Sequence, residues 1–391
     1  MTTFDDIAAR EDEFQLATYR KMRLAAARGR GAWIETQGGE RYLDLYGGHA
    51  VAATGHCHPH VVEAIRAQAG ELLFYSNLVY SEVRASAAER LVNCAPEGIA
   101  KVFFCNSGTE ANENAMRMAR MATGREGVIT FTGSFHGRTA DSISATFLGK
   151  YRDLGRPNVP GHVCAEFGSM ALVAALADHT IAAVMLEPIQ SMAGVRQAPP
   201  EFYLALRELC DERGMLLIYD EVQTGPGRTG EWFFAGGAAG GGAVPDIITL
   251  AKALGSGVPV GACLTNAAVA SRIKENDLGT TFGGGMLAMA AVGATLEAME
   301  SDGMLENARD IERHLRESLK NLPQVARVRG AGLLLGIEFT DEIAAKVHQA
   351  LLEEHIITGT SSDARVLRLL PPLCVRQEEI DLFVDALGRV L

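Results

Sequence analysis

Two residues of this chain combine a charge with an apolar approach. Lys252 sits in residues 250–255 (Leu-Ala-Lys-Ala-Leu-Gly); thirty-two residues earlier, Asp220 sits in 217–223 (Leu-Ile-Tyr-Asp-Glu-Val-Gln). Each apolar run reads as a buried strand that delivers its charge at the strand's mouth, where an unpaired charge is costly. A lysine placed this way loses its proton to desolvation and becomes an amine nucleophile toward a carbonyl. An aldehyde cofactor carried on lysine as a Schiff base, with an acid on its pyridinium nitrogen, needs these two groups. The chemistry indicated is that of pyridoxal phosphate.

Three further segments have side chains suited to the same task. Residues 106–112 (Asn-Ser-Gly-Thr-Glu-Ala-Asn) follow a strand-like run and open a helix. Ser107 with Glu110 three residues on makes a capping box. Gly108 permits close backbone approach, so free N–H groups at the helix start would hold a phosphate; an ordinary capped helix is the competing reading. Neither a Walker loop nor the dinucleotide glycine spacing is present. In 133–139 (Gly-Ser-Phe-His-Gly-Arg-Thr) an aromatic can cover a flat ring and Arg138 can fork onto a carboxylate; a plain surface turn competes. Arg368, inside the apolar run 366–372, wants an anion, either a structural acid or a substrate carboxylate.

Residues 56–60 (His-Cys-His-Pro-His) invite a zinc reading. Such sites usually need a second ligand pair at a distance, and none is evident, while Pro59 suits the first turn of a helix. No metal is expected.

The elements that must position these residues follow from the apolar pattern. Short, wholly apolar runs (102–105, 128–131, 181–186, 215–219, 247–250, 261–264) are separated by helical stretches, the mark of a mostly parallel sheet covered on both faces. Ligands in such sheets bind at the carboxyl ends of the strands. A long helix over 288–300, an amphipathic one over 307–319 and strands at 327–330 and 333–339 read as a smaller α+β unit. The glycine-rich segment 236–242 reads as a mobile loop. A net charge of −12 argues against a broad nucleic-acid surface. No stretch approaches the roughly 20 apolar residues of a membrane span, and the first residues lack the blocks of a signal peptide. Seven scattered cysteines fit reduced thiols, so a cytoplasmic location is expected.

Taken together, residues 42–372 resemble the class III (ornithine-type) aminotransferases of the fold type I pyridoxal phosphate enzymes, with the motifs in family order. Length and the segments 106–112, 135–139 and 220–225 look most like the members that act on acetylornithine. The resemblance implies an α/β fold with a large domain around a mostly parallel central sheet and a smaller α+β domain. The divisions expected are 1–50, joining the small domain, then 51–285 and 286–391. It implies that Lys252 carries pyridoxal 5'-phosphate and shuttles a proton, and that Asp220 pairs with the ring nitrogen. Phe135, with His136 in the same motif, and Val222 would enclose the ring, and Gln223 would reach the ring hydroxyl. Ser107, Gly108 and Thr109 would hold the phosphate, and Thr281 would reach the phosphate of a neighbouring subunit in a homodimer. Arg138 and Arg368 would bind substrate carboxylates, with Thr280 and Glu187 nearby, Glu187 close to Gln223.

The activity implied is ping-pong transfer of an ω-amino group from N-acetylornithine to 2-oxoglutarate, a step of arginine biosynthesis. Succinylornithine, ornithine, 4-aminobutyrate and a protein-carried aminoadipate semialdehyde stand as other donors. A racemase or aminomutase, a catalytically silent regulatory or assembly relative, and a nicotinamide-dependent dehydrogenase are more distant readings. Two positions depart from the family pattern. Residues 187–192 read Glu-Pro-Ile-Gln-Ser-Met, so Met192 stands where the family has a glutamate that pairs with the arginine at the Arg368 position. Residues 284–287 read Gly-Gly-Met-Leu, where an Asn-Pro pair is common after the glycines.

Overall fold

A computed structural model describes residues 2–391. Its centre is a seven-stranded sheet in the order Ile99–Cys105, Gly261–Asn266, Ile247–Leu250, Leu216–Asp220, Ile181–Leu186, Gly127–Phe131, His162–Ala165. Gly261–Asn266 runs antiparallel to both of its neighbours, and the other pairings are parallel. The wholly apolar runs become strands because each is covered on two sides: all six residues of Ile181–Leu186 are buried. Alternation then divides one strand between two cores. Ile218 joins the cluster of Ala115, Met116 and Met185, while Leu217 and Tyr219 join that of Phe202, Tyr203 and Phe234.

The first of those clusters is built on the helix Gly108–Thr123. Ala111, Ala115, Met116, Met118 and Ala119 form its buried face, and it stops at Gly124 in the left-handed conformation. A second body holds the antiparallel sheet Val325–Ala331, Leu334–Phe339, Val366–Leu369, Gly359–Thr360 and the helices Met304–Leu319, Ala344–Glu353 and Gln377–Val390. The N-terminal strands Ala26–Arg30, Trp33–Thr36 and Arg41–Asp44 form a third sheet, completed by Ile356–Ile357 parallel to Arg41–Asp44. The helix Met286–Ser301 links the cores: Met289, Val292 and Leu296 pack into the large one and Met299 into that of the second body.

The glycine-rich segment is a loop that contains one short regular turn. Ala238–Gly240 is a 3-10 turn with Gly240 buried, and it packs on the helix Pro200–Arg213. Without side chains, its backbone lies directly on Phe234 and Leu204.

One glycine ties the sheet to the helix start at residue 108. Gly261 pairs with Cys105 across the antiparallel ladder, and a Cβ there would stand 2.4 Å from the Ser107 carbonyl oxygen. Backbone cannot swing aside as a flexible side chain would. Gly261→Ala should lower the unfolding free energy by about 1–3 kcal/mol, the scale of overpacking, measured as a fall in melting temperature. An unchanged melting temperature would mean the two segments separate without cost.

Candidate active site

The carboxyl ends of the parallel strands open into a cavity of about 790 Å³. Asp220, the last residue of Leu216–Asp220, and Lys252, two residues beyond Ile247–Leu250, both line it. Parallel pairing puts Asp220 in register with Thr249, so two adjacent strands deliver the acid and the amine to one place. Lys252 opens a short 3-10 turn at φ 39°, a conformation rare for a residue with a side chain. Surrounding protein pushes its ammonium below the ordinary lysine range, while Asp220 and Glu187 pull it back up.

Every hydrogen-bond partner of the Asp220 carboxylate is a donor. Its Oδ2 accepts from Asn112 Nδ2 at 2.7 Å and from His136 Nδ1 at 2.7 Å. Its Oδ1 accepts from the Val222 N–H at 3.1 Å. His136 is buried and sits behind Asp220, with Nε2 lacking a partner among the described residues. The neighbouring Glu221 is wholly buried, and that burial lifts its carboxyl to about 7 against the N–H groups of Ala235 and Phe234 and the Thr224 hydroxyl. Those bonds fix the turn that carries Val222 and Gln223. Gln223 lines the cavity and donates to the His49 carbonyl at 3.3 Å.

At the other end of the cavity, Ser107 caps Gly108–Thr123 by accepting from the Glu110 N–H. The expected box is not reciprocal. The Glu110 carboxylate turns to Asn106, taking its N–H at 2.6 Å and its side-chain amide at 3.1 Å. Gly108 and Thr109 therefore keep N–H groups that the helix itself cannot satisfy. A Cβ on Gly108 would lie 2.8 Å from Val222 Cγ1; only glycine lets this helix start approach the Val222 wall.

The walls bring together most of the other expected residues. Phe135 lines the cavity, its ring edge-on to Tyr151 at 5.3 Å. Arg138 lies over the rings of Tyr19, Phe135 and Tyr151. Glu187 accepts from the Phe135 N–H at 2.8 Å rather than bonding Gln223, and burial lifts its carboxyl to about 7. Arg368 is buried and meets only neutral groups: Ser191 Oγ at 3.0 Å, the Tyr46 hydroxyl at 2.5 Å and the Thr360 carbonyl at 2.7 Å. No carboxylate pairs with it among the described residues, and Met192 lines the same cavity. Thr280 and Thr281 stand apart. Thr280 accepts from Asn106 Nδ2 at 3.1 Å, and Thr281 is exposed beside Phe282 outside this chain's cavity.

Motif reading did not anticipate Tyr46, His49 or Asn112 in particular roles. Asp44 Oδ1 accepts from the N–H groups of Tyr46 and Gly47, and Gly47, Gly48 and His49 then turn through positive φ. The Gly47-Gly48 pair was the available signal. Burial, then Arg368, Lys252 and Arg138, hold the His49 imidazole below its ordinary range. Of the histidines at 56–60, His56 bonds Asp44, His58 bonds Asp302 and His60 bonds Glu297.

This set of groups fits a flat, phosphorylated aldehyde. A buried amine, an acid held as acceptor, an aromatic and an aliphatic wall, and a helix start cleared by glycine converge on one cavity. Comparison with known proteins agrees. The family model described as aminotransferase class-III matches residues 15–391. A protein of Archaeoglobus fulgidus named acetylornithine aminotransferase is 40% identical over 97% of this chain and 99% of its own length. One of Methanopyrus kandleri with the same name is 42% identical over 97% of each chain. Among solved structures, the ornithine aminotransferase of Toxoplasma gondii superposes with a TM-score of 0.92 at 27% identity, covering 100% of this chain and 95% of that one. The matched length, the fold and the converging groups together place this chain in the class III aminotransferases.

Proposed function

We propose that this chain is a pyridoxal phosphate-dependent enzyme that moves the ω-amino group of N-acetylornithine to 2-oxoglutarate, as in arginine biosynthesis. The observation that carries the donor is identity of about 40% to relatives of that name over nearly the whole chain. Bound in the cavity, the cofactor supplies an electron sink for the pair left when the substrate carbon gives up a proton. Lys252 would hold the cofactor's aldehyde carbon and would take and return the substrate proton, its ammonium pushed below the ordinary lysine range by burial. Asp220 would pair with the ring nitrogen, and Phe135 and Val222 would confine the ring. His136 backs Asp220, and Gln223 would reach the ring hydroxyl. Ser107, Gly108 and Thr109 would hold the phosphate at the helix start. Arg138 and Arg368 take substrate carboxylates, with Glu187 and Thr280 beside them.

The reading extends to assembly. Leu72, Leu73, Phe74, Tyr75, Leu78, Tyr80 and Phe282 are exposed, Leu78 at 91% and Tyr80 at 105%. The rings of Phe74 and Phe282 meet at 5.2 Å, next to Thr281. A patch this apolar suits a subunit contact, and a homodimer would carry Thr281 to the neighbour's phosphate. Light scattering should give the mass of two chains; a single-chain mass removes the shared site. Residues 1–50, 51–285 and 286–391 are taken as the units. No helix among the described residues is long and apolar enough to cross a membrane. All seven cysteines are free, which suits the cytoplasm; cell fractionation checks it.

Lys252→Ala should abolish the visible absorption band of the bound cofactor and reduce turnover to background. Retention of both would sink the assignment.

Met192→Glu would set a carboxylate beside an arginine that now has none. The new partner competes with substrate for Arg368, so KM for 2-oxoglutarate should rise about tenfold with kcat largely kept. An unchanged KM would remove Arg368 from carboxylate binding.

A further inference from the structure

The groups around Asp220 form a chain of assigned donors that begins one strand away. Thr249 is fully buried on Ile247–Leu250, in register with Asp220. Its hydroxyl meets Asn112 Oδ1 at 2.6 Å. The Asn112 amide nitrogen meets two acceptors, the His136 carbonyl at 2.8 Å and Asp220 Oδ2 at 2.7 Å. Neither of those can donate, so the amide nitrogen must face them and the amide oxygen must face Thr249. The hydroxyl is then the donor. Both amide hydrogens of Asn112 and one lone pair of its oxygen are used on named partners, three of its four positions, and Asn112 is itself buried. Asp220 Oδ2 receives this amide together with His136 Nδ1, while Oδ1 receives only the Val222 N–H. A carboxylate offers about four lone-pair positions, so Oδ1 has capacity left toward the cavity that Asp220 lines.

We propose that Thr249 and Asn112 are positioning residues. Thr249 fixes the Asn112 amide, and Asn112 with His136 loads one oxygen of Asp220 so that the other is presented to the cofactor's ring nitrogen. This rests on the reading of Asp220 as the partner of that nitrogen. Buried polar side chains tied in series are expensive to leave half-satisfied. Removing the Thr249 hydroxyl orphans the amide oxygen and leaves the amide held from its nitrogen side alone, by the His136 carbonyl and Asp220. The effect then reaches the cofactor without any contact between it and Thr249. The other titratable groups acting on Asp220 are Glu187, Glu221 and Lys252, and none of them bonds to Asn112 or Thr249.

The test uses holoenzyme loaded with pyridoxal phosphate labelled with 15N in the ring, read by NMR alongside steady-state kinetics. Thr249→Val keeps the shape of the side chain and deletes the donor; Thr249→Ala serves if the valine variant does not fold. Either should move the ring-nitrogen resonance away from its wild-type, protonated position. Either should also lower kcat about tenfold, the scale on which the outer partners of a reacting group act, with donor KM within about twofold. Thr249→Ser should restore both readouts. A merely structural threonine would lower the melting temperature and leave the resonance in place, and that result overturns the proposal. Asp220→Ala separates the two levels of the argument. If it moves the resonance and Thr249→Val does not, only the positioning proposal falls. If Asp220→Ala itself leaves the resonance unmoved, the reading of Asp220 falls and the proposal falls with it.

Discussion

The site depends on keeping one carboxylate as an acceptor deep in the protein. Asp220 is buried at the end of a central strand, and three N–H donors from three different segments close on it. Each donor brings its own element. Asn112 lies on the helix whose first turn faces the same cavity, His136 lies on the loop that carries Phe135 and Arg138, and Val222 is itself a cavity wall. A shift of the carboxylate would move them all, because buried polar groups have no water to fall back on. Lys252 answers the same geometry from the adjacent strand.

The opposite wall follows a different rule. Arg368 is a buried cation whose partners are a hydroxyl from each of Tyr46 and Ser191 and a carbonyl from Thr360. These satisfy three of its five N–H groups and leave its charge uncompensated. An arginine in that condition is a standing demand for an anion. Met192 shapes the wall beside it but offers no competing charge. The cavity thus holds an acid answered by protein on one oxygen and only partly on the other, and a base whose charge no protein carboxylate answers among the described residues.

Much of this was legible in the residues. The apolar runs 181–186 and 247–250 matched observed strands to the residue, because a strand covered on both faces leaves little ambiguity in its pattern. Lys252 and Asp220 stood out for the same reason, as charges at the ends of such strands. What escaped was set by tertiary contact. The capping box at Ser107 is only half formed, since Glu110 found Asn106 instead. Within the glycine-rich segment 236–242, the short 3-10 turn Ala238–Gly240, set against Phe234, had no local signal. Glu187 settled on the Phe135 N–H, a partner fifty-two residues away that no local pattern announces. Asn112 sat inside a recognised motif, but its pairing with Thr249 exists only once the helix Gly108–Thr123 packs on the strand Ile247–Leu250.

The small pairing of Ile356–Ile357 with Arg41–Asp44 sets an order in time. A chain emerging from the ribosome has all seven central strands by Asn266, and with them Asp220, Lys252 and the helix start at Gly108. The N-terminal sheet must wait about three hundred residues for its fourth strand. Tyr46 waits equally long for Arg368, its hydrogen-bond partner. Contacts so distant along the chain close slowly. The strands that lead to Asp220 and Lys252 are therefore synthesised well before the strand that carries Arg368.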